Sequence, residues 1–170
     1  MRFEGFHGTE AKNTMAIQQE GFRATTSSGW LGSGSYFFES LSSVTSGPEE
    51  ARNWVLFVKK AREWATFRAT IESEKVVDLL ENVDHRKLYD VVRGKALARY
   101  ANSGKNLSQF RESSIYLMIA ERGVEVIRAL VDASREEHYT AYTVRRPQVQ
   151  LCVIERSCIK AYALHGTGVG

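Results

Sequence analysis

Between Pro147 and Ile154 the chain alternates. Gln148, Gln150 and Cys152 fall on one side of an extended backbone, and Val149, Leu151 and Val153 on the other. Successive strand side chains point to opposite faces, so this segment predicts a strand with one apolar face, within a reading that runs from Tyr142 to Ile154. Ser35 to Phe38 (SYFF), Val76 to Leu80 (VVDLL) and Val124 to Val131 are further strand candidates, rich in aromatic and β-branched residues. Between them the period changes. Ala51, Trp54, Val55, Val58, Ala61, Trp64 and Ala65 recur at helical spacing and predict a helix from Glu49 to Phe67, opened by Pro48 and two acids. Further helices are expected over Leu88 to Tyr100 and over Glu112 to Arg122, the second stopped by Gly123. Strands at both ends with helices between point to an α+β fold, largely antiparallel.

Thr25 to Gly34 (TTSSGWLGSG) reads as a loop, as does Leu41 to Gly47. Residues 82 to 105 are charged and read as a solvated helical face with no site. With only two prolines, Pro48 and Pro147, regular elements run uninterrupted. The 170 residues suit one domain, 1–170. A net charge of +3 tolerates an anionic ligand without demanding one. Cys152 and Cys158, six apart, form neither a zinc motif nor a disulfide framework, so no metal is expected and both thiols read as reduced in a cytoplasmic protein. No apolar run approaches the ~20 residues that span a bilayer, and MRFEGFHG is not a signal peptide.

Phe6-His7-Gly8-Thr9 is an unusual opening, because a first core strand would normally continue with apolar residues. Behind it come Ile17, then Gly21-Phe22-Arg23, then Leu31-Gly32-Ser33-Gly34-Ser35-Tyr36-Phe37-Phe38, and then Ala51-Arg52-Asn53-Trp54. Each piece has an ordinary reading: an aromatic core strand at 36–38, a core-facing Trp54, a solvated Arg23. The order resembles ADP-ribosyltransferases of the diphtheria-toxin and poly(ADP-ribose)-polymerase type, whose pattern runs His-Gly-Thr/Ser, Ile-x-x-x-Gly-Leu, Gly-x-Gly-x-Tyr-Phe and Ala-Asn-Tyr. The resemblance is carried mainly by residues 6–54 and more weakly by 147–164. It implies two packed, mainly antiparallel sheets around an NAD⁺ cleft, with NAD⁺ as co-substrate.

Nicotinamide in NAD⁺ is a flat, cationic aromatic amide, held best by aromatic faces and a close backbone. By the resemblance, His7, Gly8, Thr9, Arg23, Tyr36 and Trp54 bind NAD⁺. The Gly8 backbone takes the carboxamide, His7 a hydroxyl of the adenosine ribose and Arg23 the diphosphate, while Tyr36 and Trp54 stack on nicotinamide. The catalytic set is His7, Tyr36 and the residue at 150. There the family has a glutamate, which binds the nicotinamide-ribose 2′-hydroxyl and stabilises charge at the anomeric carbon. Here it is Gln150. Its amide can bond a hydroxyl but carries no charge. Three readings follow: a glutamate-to-glutamine change that disables the enzyme, a slow enzyme or one using another acid, or an inactive NAD⁺ or ADP-ribose binding module. Glu155, five residues on, falls on the opposite face.

A related reading is an NAD⁺-dependent RNA 2′-phosphotransferase, which shares His-Gly-Thr. Its His-x-x-His-Leu-Ser motif has no match at Gly34-Ser35-Tyr36-Phe37. A Rossmann dehydrogenase is set aside because Gly32-Ser33-Gly34 lacks a third glycine and opens onto a strand. The expectation is therefore an ADP-ribosyltransferase with a macromolecular acceptor, nucleic acid slightly favoured over protein. Gln148, Arg145 and Arg146 border the acceptor site, together with Thr25 to Ser33 and Val131 to Thr140. By analogy the chain resembles the toxin of a toxin–antitoxin or phage-defence system, with a neutralising protein partner and no membrane.

Overall fold

The computed structural model describes residues 1–41, 45–132 and 147–170. In chain order they form β1 (Arg2–Glu10), α1 (Thr14–Glu20), β2 (Thr25–Gly29), β3 (Gly32–Glu39), α2 (Gly47–Asn53), β4 (Glu63–Glu72), β5 (Val76–Asp78), α3 (Val83–Asn102), α4 (Ser113–Ala120), β6 (Val126–Asp132), β7 (Pro147–Val153) and β8 (Ile159–Val169). The α+β class holds.

The strands make one continuous sheet in the order β5-β6-β7-β3-β1-β4-β8, with β2 hairpinned onto β3. The expected pair of packed sheets is not what forms. β5 and β6 run parallel, and the other neighbours are antiparallel. A parallel pair needs a long crossover, which here contains α3 and α4. The seam between the sheet's halves is thin. β1 meets β3 at one registered pair, Phe6 with Phe38. Beyond it, His7, Gly8 and Thr9 keep their β4 partners Phe67, Thr66 and Ala65, while Ser35 to Glu39 stay paired with β7. The two strands part, and a cleft opens between them.

Two expectations change, and one strand is added. The helix expected over Glu49 to Phe67 stops early: α2 ends at Asn53, a wide π-helical turn covers Trp54–Val58, and β4 follows. Lys60, in the left-handed region at φ 55°, breaks the helix. Ala65, Phe67, Ala69 and Ile71 are all buried at period two, as one face of a strand. The expected loop at Thr25 to Gly34 is a hairpin, pairing Thr25 with Gly34 and Gly29 with Gly32. Its turn needs Gly32, at φ 95°. Finally, β8, where no separate strand was expected, forms the sheet edge beside β4.

Other expectations stand. α4 is followed by Gly123 at φ 83°, and α3 starts earlier than Leu88 because the Asn82 side chain accepts from the backbone of Asp84 and His85. One face of the sheet packs Phe37, Phe67, Ile71 and Leu151 with Ile17 and Phe22, and the other packs Ile127 and Cys152 with Val92, Ile115 and Ile119 of α3 and α4. Arg128 on β6 clamps the sheet, donating through Nε and Nη2 to Glu39 at 2.7 and 3.1 Å and through Nη1 to Asp78 at 3.0 Å. No helix among the described residues is long and apolar enough to cross a membrane.

Candidate functional site

Where β1 leaves β3, a cleft of about 250 Å³ is lined by His7, Gly8, Arg23, Tyr36, Trp54 and Gln150, among others. Six of the expected site residues, distant in sequence, therefore share one cavity. Pockets that take whole drug-sized ligands measure roughly 300–1,000 Å³, so this space suits one end of an elongated ligand.

His7 spans the gap. Its Nδ1 lies 2.8 Å from the Tyr36 carbonyl oxygen. A carbonyl only accepts, so Nδ1 carries the proton and Nε2 is left as an acceptor. Burial pushes the imidazole down to about 4, against the pull of that carbonyl and with help from Lys59. His7 is thus neutral at physiological pH, suited to accept from a hydroxyl. Phe22 packs edge-on to its ring at 5.0 Å.

Gly8 fixes the distance between sheet and helix. A Cβ built on it would stand 1.9 Å from the Ala51 carbonyl oxygen. Any side chain at Gly8 would push α2 outward, and Trp54, next after α2, with it. Trp54 is tilted against Phe38 at 6.4 Å between ring centres while still lining the cleft. Trp54 is thus partly buried against the core and also lines the cleft.

Tyr36 is half-buried, whereas Phe37 and Phe38 are core. Its hydroxyl donates to Gly32 O at 2.6 Å and accepts from Leu31 N at 2.9 Å, which ties the ring to the hairpin tip. Burial raises its pKa, so it stays neutral. Gly29 leaves room for the ring, since a Cβ there would be 2.3 Å from the Tyr36 hydroxyl oxygen.

Gln150, only 4% exposed, reaches the cleft from β7. Its Nε2 donates to Gln148 Oε1 at 3.2 Å, and its Oε1 is buried without a hydrogen-bond partner. Gln148 is itself buried and donates through Nε2 to Glu50 Oε2 at 2.6 Å. Arg23 lines the cleft while exposed and paired with Glu20 at 2.5 Å. Thr9 is buried, its Oγ1 accepting from Asn13 Nδ2 at 3.1 Å, and does not line the cleft. Glu155 is exposed and caps the Ser157 N–H. Arg145 and Arg146, with most of Val131 to Thr140, lie outside the described residues.

Three residues were not singled out from sequence. Lys59 lines the cleft from the end of the π-helical turn. Trp30, 51% exposed, lines it from the hairpin tip. Glu50 is 1% exposed on α2. Only Trp30, a large aromatic in a glycine-rich turn, carried a signal that sequence reading could have used. Among the described residues, no three His, Cys, Asp or Glu side chains are grouped to hold a metal ion.

In comparisons with known proteins, no family model matches the sequence and no curated protein matches it.

Proposed function

We propose that the chain is an NAD⁺-dependent mono-ADP-ribosyltransferase acting in the cytoplasm. The observation that carries this reading is the convergence of His7, Gly8, Arg23, Tyr36, Trp54 and Gln150 on one cleft at the β1–β3 seam. The cleft's chemistry suits the ligand. Tyr36 and Trp54 offer aromatic surface to a cationic ring. Neutral His7 offers an acceptor to a hydroxyl, and Gln150 Oε1 a second one. Arg23 and Lys59 are cations for a diphosphate.

The reaction breaks the bond between the anomeric carbon and the nicotinamide nitrogen, whose electron pair leaves with nicotinamide. A nucleophile of the acceptor bonds the same carbon and releases its proton to solvent water. Charge develops on the ribose beside Gln150, so orientation and hydroxyl binding are what the amide contributes. Trp30, exposed at the cleft, favours a nucleic-acid acceptor, since exposed aromatics stack bases. A toxin role with a neutralising protein partner accompanies this reading by analogy alone.

The neutral amide at 150 favours a second reading, an NAD⁺ or ADP-ribose binding module without turnover. Calorimetric titration of NAD⁺, with nicotinamide release followed for the native chain and Gln150→Glu, separates the two. Binding with release by either form supports the transferase. Binding without release in both supports the module, and no binding sinks both readings.

A further inference from the structure

Gln150 is the end of a buried row of three side chains. Gln150 Nε2 donates to Gln148 Oε1, and Gln148 Nε2 donates to Glu50 Oε2, so that β7 is joined to α2. The three residues are 4%, 5% and 1% exposed. Gln150 lines the cleft, and its Oε1 is buried and accepts from no group of the protein. A buried acceptor left without a donor costs about 1–3 kcal/mol, and native proteins seldom carry one without a use.

The two ends of an amide have nearly the same shape, so packing alone does not decide which one faces a cavity. A carboxylate does decide. Glu50 Oε2 accepts from Gln148 Nε2, so the Gln148 NH₂ group is turned to α2. Gln148 then has its oxygen towards Gln150, which can meet it only with NH₂. The Gln150 oxygen is what remains for the cleft. We infer that Glu50 and Gln148 are positioning residues that fix the polarity of Gln150, so that the cleft presents an acceptor where a freely turning amide would as readily present a donor. That the donor it meets is a ribose hydroxyl rests on the NAD⁺ reading above.

The same row explains why position 150 holds an amide. Gln148 meets Gln150 and Glu50 with opposite ends. A carboxylate at 150 would face the Gln148 oxygen, and turning Gln148 round would set that oxygen against Glu50. Glutamine at 150 is the residue for which both contacts are made at once.

The test combines nitrogen-15 spectra of the side-chain amides with calorimetry of NAD⁺. Gln148→Met and Gln150→Met assign the two amide signals. Glu50→Gln should move both signals and speed their hydrogen exchange, and should weaken NAD⁺ binding about tenfold, the worth of one well-placed hydrogen bond. In a Gln150→Met background the same change should weaken binding no further. Unmoved amide signals, or an equal loss in both backgrounds, would overturn the inference. If Glu50→Gln does not fold, Gln148→Met serves instead, with faster exchange at Gln150 expected. Should NAD⁺ not bind the native chain, the functional reading falls, and the amide signals alone decide whether Glu50 orients Gln150.

Discussion

Gly8 and Ala51 touch backbone to backbone: the Ala51 carbonyl oxygen occupies the place a Gly8 side chain would need, 1.9 Å from an ideal Cβ. The strand that supplies His7 and the helix that carries Glu50 are therefore held at a separation only glycine permits. Gly8→Ala should lose about 1–3 kcal/mol, as overpacking of a tight contact does, and displace α2. Chemical denaturation gives the first quantity. The second appears as a change in Trp54 fluorescence, read in a variant whose other two tryptophans are replaced by phenylalanine. Unaltered stability would mean that α2 can be moved freely.

The Tyr36 hydroxyl has a structural task separable from the ring's. It satisfies the Leu31 N–H and the Gly32 carbonyl at the hairpin tip. Tyr36→Phe should cost about 1–2 kcal/mol, with faster amide exchange at Leu31, and keep most NAD⁺ affinity. Tyr36→Ala should remove the stacking surface and abolish measurable binding while the fold survives. A Tyr36→Ala chain that fails to fold would instead make Tyr36 a core residue.

For His7 the sign of the pH dependence follows from its burial. Folding lowers its pKa from the ordinary ~6.5 to about 4, so below pH 6.5 the unfolded chain binds the extra proton more readily than the native one. The favourable state is complete above about 6.5 and is lost as pH falls towards 4, by at most about 3 kcal/mol at 1.36 per unit. Urea midpoints at pH 7.5, 5.5 and 4.5 should fall more steeply for the native chain than for His7→Asn. Parallel curves would show that His7 does not contribute.

Arg128 draws three strands together through Glu39 and Asp78. Burial raises the Asp78 carboxyl's pKa, but the Glu81 and Leu80 amides and the Arg128 guanidinium outweigh it and hold the group below the usual carboxylate range. Arg128→Met should cost about 3–5 kcal/mol, because the two largely buried carboxylates, Glu39 and Asp78, lose their cation. A loss under 1 kcal/mol would mean that the clamp adds nothing to apolar packing.

What could be read from sequence follows the range of the interactions. His7-Gly8, Tyr36 and Trp54 stand in short motifs whose order survives folding, and they meet in the cleft. The 49–67 stretch misled because Ala65 satisfies a helical and an alternating period together, and only Phe67, Ala69 and Ile71 beyond it decide for a strand. In β8, Gly166 and Gly168 weaken the strand signal, yet Gly168 is where the Trp64 ring lies, 2.7 Å from an ideal Cβ. Glu50 could not be found. An acid in a helix's first turn reads as a solvated charge favoured by the helix dipole, and its partner Gln148 is 98 residues away.

Gln150→Glu is the sharpest test of the buried row. The new carboxylate would face Gln148 Oε1, with Glu50 beyond it. Burial against the Gln148 oxygen, with no donor in place, favours its protonated form, so its folded pKa should lie well above the ordinary ~4.3 of glutamate. Relative to the native chain the variant should then be weakened by about 2–3 kcal/mol at pH 7.5, the typical cost of a poorly satisfied buried charge, and the difference should close as pH falls towards 4. The same titration bears on chemistry. The introduced group supplies negative charge only when ionised, so nicotinamide release by Gln150→Glu should rise with pH through that raised pKa. Stability equal to native at pH 7.5, with release already constant at pH 5.5, would mean that the site accepts a carboxylate without strain and that Glu50 does not dictate what stands at 150.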